Sequence, residues 1–175
     1  DHDTYEAYFR DEARCRPDVE ALCEARGLRP SALERMPGGS NMVYALDDAR
    51  VLKVCAPLHA EEALAEVAML EVVSQAALGV PSPALLDHGE EAGGWRWLVM
   101  TRLPGVVARS IWHTLDRADR LHIITQLGAW IAASHASAPL QALTLSPLRD
   151  DWPKKQRWLR DGRPSDETVL RDIEE

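Results

Sequence analysis

The sequence predicts an α+β protein in which an antiparallel sheet with its helices is followed by a helical part. Up to about residue 105, short apolar runs bounded by turn residues alternate with helical patterns, and beyond that point only helical patterns occur. Hydrophobic residues make up 46% and charged residues 27% of the 175 residues. This composition is typical of a globular domain and excludes disorder as the main state.

The charge balance and the cysteines exclude several classes of protein. Lys and Arg number 20 and Asp and Glu 28, and a net charge of −8 argues against a general binder of nucleic acid or anionic membranes. The three cysteines include no C-x-x-C pair, which argues against a disulfide framework and a zinc ribbon. No apolar run approaches the ~20 residues of a membrane helix. We therefore expect a cytoplasmic protein with no nucleic-acid or membrane partner.

The N-terminal part is predicted to be helical up to Gly27, a typical helix end. Pro17 followed by Asp18 predicts that a helix begins there. Ser31–Met36 is a candidate strand, and the residues at 37–41 form a turn cluster.

A β-hairpin and a helix are predicted next. Met42–Leu46 and Arg50–Cys55 are short apolar runs, and Asp47–Asp48 supplies a tight turn between them. The helix covers Glu61–Ala77, with an apolar stripe at a spacing of three residues. The stripe consists of Leu64, Val67, Leu70 and Val73.

The remaining elements are two strands and a long helix. Ala84–Asp87 and Trp95–Leu103 are predicted strands, with a turn at Gly89–Gly94. Asp116 is the predicted N-cap of a helix over Arg117–Ala136. The apolar face of this helix consists of Leu121, Ile124, Leu127 and Ile131. Residues 149–164 are highly charged and contain two prolines, which predicts a loop or a poorly fixed helix. Ser165 caps a last helix that ends in mid-pattern, so we expect the natural chain to continue past Glu175.

Three features point to chemistry, and each alone has an ordinary structural explanation. The loop at 38–41 (GGSN) has the backbone freedom and donors to cradle phosphate oxygens, although hairpin turns also use such residues. Lys53 lies within the apolar run VLKVC, where a cation needs a partner or a cleft unless it is an edge residue. Glu66 lies on the following helix and is either that partner or part of a solvated face. A glycine loop, a strand lysine and a helical glutamate, in this order, are the parts with which protein kinases bind ATP.

Four segments in the expected order resemble motifs of the aminoglycoside phosphotransferase family, whose fold is protein-kinase-like. Residues 38–54 of this chain (GGSNMVYALDDARVLKV) resemble the family's nucleotide-loop hairpin. Residues 66–89 (EVAMLEVVSQAALGVPSPALLDHG) resemble its helix-to-strand passage. Residues 97–108 (WLVMTRLPGVVA) resemble the family's hinge, and residues 127–139 (LGAWIAASHASAP) resemble the helix that follows it. The resemblance spans about residues 33–138. It implies a nucleotide-binding N-terminal lobe over 1–103, with the hinge and the start of a helical, truncated C-terminal lobe over 104–175.

The resemblance implies a phosphate-binding side of the site. Lys53 pairs with the α- and β-phosphates of ATP, and Glu66 orients it, with Glu71 as the alternative. The loop that covers the phosphates consists of Gly38, Gly39, Ser40 and Asn41.

It also implies an adenine-binding side. Val43 and Val51 pack on the faces of the ring, and Met100 lies at the back of the pocket. The Thr101 carbonyl and the Leu103 amide bind the edge of the adenine.

The catalytic part of the family's pattern is absent from this chain. The family carries a His-x-Asp motif followed by an Asn, and a later Asp that binds magnesium. None of the six histidines is followed by Asp two positions later. We therefore expect no catalytic residue and no metal ligand in this chain, and we expect the magnesium ligands beyond residue 175.

The expected function is that of an ATP-dependent phosphotransferase that transfers the γ-phosphoryl group to a hydroxyl of a small molecule. An aminoglycoside is one candidate substrate, and with such a substrate the protein would confer antibiotic resistance. The chain alone is expected to be inactive. The alternative is a non-catalytic module that binds a nucleotide or a protein. A protein kinase is a third reading, against which the loop PGGSN argues.

Overall fold

A five-stranded antiparallel sheet organises the fold, as the sequence predicts. In the computed structural model, which describes residues 2–76, 79–137 and 139, the strand order is β1-β2-β3-β5-β4. The strands are β1 (Glu34–Arg35), β2 (Met42–Ala45), β3 (Arg50–Cys55), β4 (Leu85–Glu90) and β5 (Arg96–Thr101). Neighbours in the sheet are antiparallel throughout. All the described residues belong to one structural unit, Asp1–Leu143.

Five α-helices accompany the sheet in the described part of the chain. They are α1 (His2–Arg10), α2 (Glu12–Ala25), α3 (Ala60–Ala76), α4 (Ala108–Ile111) and α5 (Arg117–Ala136). Short 3-10 turns follow β3, β4 and α4. No described helix has the length and the apolar character needed to cross a membrane.

The two faces of the sheet are covered by different helices. Residues opposite each other in an antiparallel sheet point to the same face. Tyr44, Leu52 and Val99 lie opposite each other and pack on α2, on what we call the α2 face. Helix α2 contributes Cys15, Val19, Leu22 and Cys23 to this cluster. The α3 face carries Val51, Leu98 and Met100, which pack on Ala63 and Leu70 of α3.

The start of α2 differs from the prediction. The helix begins at Glu12, with Asp11 as its N-cap, whose side chain accepts a hydrogen bond from the Arg14 amide at 3.2 Å. Pro17 therefore lies inside the helix, where it removes one backbone hydrogen bond. The cap and the burial of the helix on the sheet outweigh that loss. Gly27 ends the helix as predicted, with a φ of +64°.

The predicted apolar stripe of α3 is only partly correct. Its bounds agree with the prediction to one residue, but Leu64 is 48% exposed and the buried positions are Ala63 and Leu70. These two, together with the half-buried Val67, follow the i, i+4, i+7 spacing of one helix face. A small alanine on the contact line suits a close approach of α3 to the sheet.

Gly89 is a strand residue, whereas a turn was predicted there. It lies in β4 opposite Trp97, and a Cβ atom on Gly89 would stand 2.7 Å from Cζ2 of the indole. Trp97 is buried, and its Nε1 donates to Glu91 Oε1 at 3.0 Å. The glycine is therefore required by the close approach of the ring, and the turn lies further on, around the 3-10 turn Ala92–Gly94.

The long helix α5 agrees with the prediction at both ends. Asp116 is its N-cap and accepts a hydrogen bond from the Asp119 amide at 2.8 Å. The predicted apolar face is largely exposed in the structure, and its residues are Leu121, Ile124, Leu127 and Ile131. The predicted loop at 149–164 and the helix after Ser165 lie outside the described residues.

Replacing Gly89 tests the close approach of Trp97. Gly89→Ala should lower the free energy of unfolding by about 1–3 kcal/mol, because the indole has to move in a filled core. The measurement is urea denaturation followed by circular dichroism.

Gly128→Ala is the matched control. Gly128 lies within α5, and a Cβ atom there meets nothing within 4 Å. This variant should gain about 0.5–1 kcal/mol through helix propensity. Equal effects of the two substitutions would contradict the role assigned to Trp97.

Candidate nucleotide site

The glycine loop connects β1 to β2. Gly38 and Gly39 have φ angles of +92° and +79°, which side chains rarely adopt. Both residues and Ser40 are exposed, and the loop is closed at its base by the Met36 amide, which donates to the Val43 carbonyl at 2.8 Å.

Asn41 ends the loop and is half-buried. Its Oδ1 atom is buried and has no hydrogen-bond partner within the described part of the chain. A buried polar atom without a partner costs free energy in a folded protein. Asn41 therefore retains hydrogen-bonding capacity next to the loop, for use by a ligand or by solvent.

One contact to this loop was not predicted from the sequence. The hydroxyl of Tyr5, on α1, donates a hydrogen bond to the Ser40 carbonyl at 2.8 Å. The two residues are 35 positions apart, and any residue could supply the carbonyl. No spacing or composition signal marks such a bond.

Lys53 and Glu66 form an ion pair. The ammonium group of Lys53, on β3, donates to Oε2 of Glu66, on α3. The side chains are 19% and 26% exposed, so both charges are largely removed from water and depend on each other. Glu71, the alternative partner, is exposed and lines a different cavity together with Leu85–His88.

Three of the predicted adenine contacts lie on the same face of the sheet as Lys53. Val43 is directly opposite Lys53, and Val51 is directly opposite Met100. Val51 and Met100 are buried, whereas Val43 is half-buried. The hairpin thus brings two valines, a methionine and the lysine to the α3 face.

The Asp47 turn fixes the register of this hairpin. Asp47 Oδ1 accepts hydrogen bonds from the Ala49 and Arg50 amides at 2.9 and 2.7 Å. Its other oxygen accepts from the Arg50 guanidinium, and this bond is the main cause that lowers the pKa of the Asp47 carboxyl. Because a slip of one residue would move Lys53 to the other face, the turn helps to determine where the cation lies.

The predicted hinge residues lie at the end of β5 and directly after it. The Arg102 amide donates to the Ala49 carbonyl at 2.7 Å, toward β3. Since the amide and carbonyl of one trans peptide point in opposite directions, the Thr101 carbonyl points away from β3. Leu103 is exposed. The hydroxyl of Thr101 accepts from the Ala84 amide at 2.8 Å and is thereby occupied.

Cys55 lies two residues beyond Lys53 and is fully buried. Burial raises the pKa of its thiol to about 11, against the opposing effect of the Lys53 charge. It therefore behaves as a small apolar residue.

A cation beside a loop of positive-φ glycines has the chemistry to hold phosphate oxygens. No group of three or more His, Cys, Asp or Glu residues that could hold a metal ion occurs among residues 2–76, 79–137 and 139. The lysine and the glycine loop are thus compatible in their chemistry with a ligand that carries phosphate groups.

The sequence profile of APH, described as the phosphotransferase enzyme family, matches residues 33–175. The chain belongs to this family. The match confirms the resemblance and the kinase-like α+β fold predicted from the four motifs, and it covers the loop, Lys53, Glu66 and the hinge. Helices α1 and α2 lie before the matched region of this phosphotransferase-family chain.

Two solved structures are similar to part of the chain. A co-crystal structure of WbdD with the kinase inhibitor LY294002 is 23% identical, covers 50% of this chain and 22% of that chain, and has a TM-score of 0.37. A 2.2 Å crystal structure of WbdD is 28% identical, covers 48% of this chain and 21% of that chain, and has a TM-score of 0.34. The chain spans about a fifth of the length of these proteins. No curated protein gives a significant match.

The burial of the cysteines is open to direct measurement. Cys15, Cys23 and Cys55 are all free thiols and all buried. We expect none of them to react with Ellman's reagent within minutes in the native protein at pH 8, where a thiol with a pKa of about 11 is only ~0.1% ionised.

The same protein in guanidinium chloride is the control and should release three equivalents. Rapid reaction of one native thiol, located at Cys55 by mass spectrometry, would contradict the closed packing of the α3 face.

Proposed function

We propose that the protein is an ATP-dependent phosphotransferase of the aminoglycoside-kinase type, which transfers the γ-phosphoryl group to a hydroxyl of a small molecule. The observation that carries the proposal is the Lys53–Glu66 ion pair on the face that also bears Val43, Val51 and Met100. Membership of the phosphotransferase enzyme family supports phosphoryl transfer as the reaction class.

In this proposal the loop at 38–41 donates backbone amides to the phosphates, and Lys53 pairs with the α- and β-phosphates. Glu66 keeps the ammonium group in place, because a lysine without a partner would leave its apolar surroundings for water. Phosphoryl transfer depends mainly on positioning and on neutralising charge, which is the work that these residues are suited to perform.

The adenine is assigned to the apolar surface of the same face. Val43 and Val51 are proposed to cover the ring, with Met100 behind it and the Thr101 carbonyl and Leu103 amide at its edge. The Thr101 carbonyl points away from β3, which is compatible with this assignment. The lobe boundary is proposed at 103/104, where β5 has ended and the chain enters Pro104–Gly105.

The catalytic aspartate and the magnesium ligands are assigned to residues beyond Glu175. The absence of a His-x-Asp sequence from the chain supports that assignment. When bound, magnesium would supply positive charge that neutralises the negative charge developing on the phosphates during transfer.

The acceptor is proposed to be an aminoglycoside or another hydroxylated metabolite. A net charge of −8 is compatible with a cationic acceptor, and antibiotic resistance would follow only if the acceptor is an aminoglycoside. The free cysteines support a reducing compartment such as the cytoplasm.

The second candidate is a nucleotide-binding or protein-binding module without catalysis, which the missing His-x-Asp sequence favours. Both candidates predict binding of a non-hydrolysable ATP analogue. They differ in the protein expressed from the whole reading frame, where ATP consumption that depends on an added hydroxylated acceptor supports the enzyme. Binding without any turnover over a broad acceptor panel would support the module.

The ion pair provides the sharpest test of the enzyme. Lys53→Ala in the complete protein should lower kcat/KM by about two orders of magnitude or more, because a cation that stabilises phosphate charge is lost. Circular dichroism should show an unchanged fold. Unchanged turnover would contradict the proposal.

Glu66→Gln and Glu71→Gln form a matched pair on the same helix. Only Glu66 contacts Lys53, so only Glu66→Gln should weaken turnover and binding of the ATP analogue, measured by steady-state kinetics and calorimetry. Equal losses of turnover and of nucleotide binding in the two variants would contradict this role of Glu66, because they would show that negative charge on α3 matters independently of Lys53.

A further inference from the structure

We infer that Tyr5 is a positioning residue that holds the glycine loop from outside the family's matched region. The hydroxyl of Tyr5 donates to the Ser40 carbonyl at 2.8 Å, whereas the family match begins only at residue 33. The inference rests on the proposed function, because the loop it fixes is the loop assigned to the phosphates.

Tyr5 is itself held firmly. Its side chain is buried, and the ring lies 5.8 Å from Phe9, 5.6 Å from His59 and 6.2 Å from Trp95, measured between ring centroids. These partners come from three separate segments of the chain. The hydroxyl is therefore a fixed point, and the loop is attached to it.

The loop has few other attachments. Gly38, Gly39 and Ser40 are exposed, and a Cβ atom built on Gly38 would meet nothing within 4 Å. Glycines are the residues that lose most conformational entropy on ordering. A single hydrogen bond from a fixed donor can therefore account for a large part of the order of this loop.

The bond also orients the next amide. The described residues contain no cis peptide, so the carbonyl of Ser40 and the amide of Asn41 point in opposite directions. Directing the carbonyl to Tyr5 directs the Asn41 amide away from α1. Phe9 and Tyr8 of α1 pack against the α2 face cluster, whereas Lys53 lies on the opposite face.

Asn41 has further unused capacity. Its buried Oδ1 has no partner in the described part of the chain and, as an acceptor, could receive a hydrogen bond from water or from a donor group of a ligand, whereas the backbone amide is the group suited to a phosphate oxygen. Burial raises the pKa of Tyr5 to about 12, so its hydroxyl keeps the proton it donates throughout the neutral pH range.

The test compares two substitutions on α1 in the protein expressed from its whole reading frame. Tyr5→Phe keeps the ring and removes the bond to Ser40. Tyr8→Phe is the matched control, because the Tyr8 hydroxyl donates to Asp18 at 2.6 Å and does not reach the loop. Thermal unfolding of both variants shows whether the fold has been retained.

The first readout is amide hydrogen exchange of a peptide that covers residues 37–42, without nucleotide. Exchange in Tyr5→Phe should be several-fold faster than in the wild type and in Tyr8→Phe. The second readout is the dissociation constant for a non-hydrolysable ATP analogue, which should rise about 3- to 10-fold in Tyr5→Phe alone. In turnover, KM for ATP should rise while kcat stays within about twofold, a split that a general loss of folding would not give.

The outcomes separate this inference from the proposed function. Unchanged exchange of the loop in Tyr5→Phe overturns the inference, even where the wild type binds the nucleotide. Faster exchange in Tyr5→Phe alone supports the tether, and a wild type that then binds no nucleotide overturns the proposed function. Equal acceleration in both tyrosine variants overturns the inference, because it would reflect loosening of α1 as a whole.

Discussion

The burial of strand β3 on both faces is the constraint on which the rest of the structure depends. The strand pairs with β2 on one side and β5 on the other, so its edges are closed as well. Leu52 and Val54 must be covered from the α2 face, and Val51 and Cys55 from the α3 face. Lys53 interrupts these apolar surroundings in the middle of the strand, and a buried ammonium is costly unless it has a partner. Glu66 is that partner, so helix α3 both covers this face of the sheet and supplies the counter-ion of Lys53.

This double role explains why the candidate site is on one face only. The α2 face carries an apolar cluster over β3, and the ion pair that α2 forms on this face joins Glu12 to Arg35 of β1 rather than to β3. The α3 face keeps a polarised pair within the register set by the Asp47 turn. The glycine loop precedes the same hairpin, so flexible backbone donors and a fixed cation come from one short stretch of chain. A ligand with a phosphate end and an apolar end suits such a surface.

The features predicted from the sequence are those that local chemistry determines. The bounds of β3 follow from an apolar run between turn residues, and α5 begins where Asp116 caps it. The errors arise where distant packing decides. Pro17 was placed at a helix start because the stability that α2 gains on the sheet is not visible locally, and Gly89 was placed in a turn because Trp97 lies across the sheet. The Lys53–Glu66 pair was predicted through a known order of motifs, whereas the bond from Tyr5 to a backbone carbonyl leaves no pattern in the sequence.

The position of α2 determines which part of the chain is needed to complete the hydrophobic core. Similarity to the phosphotransferase family starts at residue 33, yet four residues before that point complete the core over Tyr44, Leu52 and Val99. The family match and the hydrophobic core therefore begin at different residues of the chain. A chain truncated at residue 33 would expose the apolar α2 face of the sheet to solvent and would aggregate. The residues before position 33 are therefore part of the hydrophobic core of this chain, although the family match does not include them.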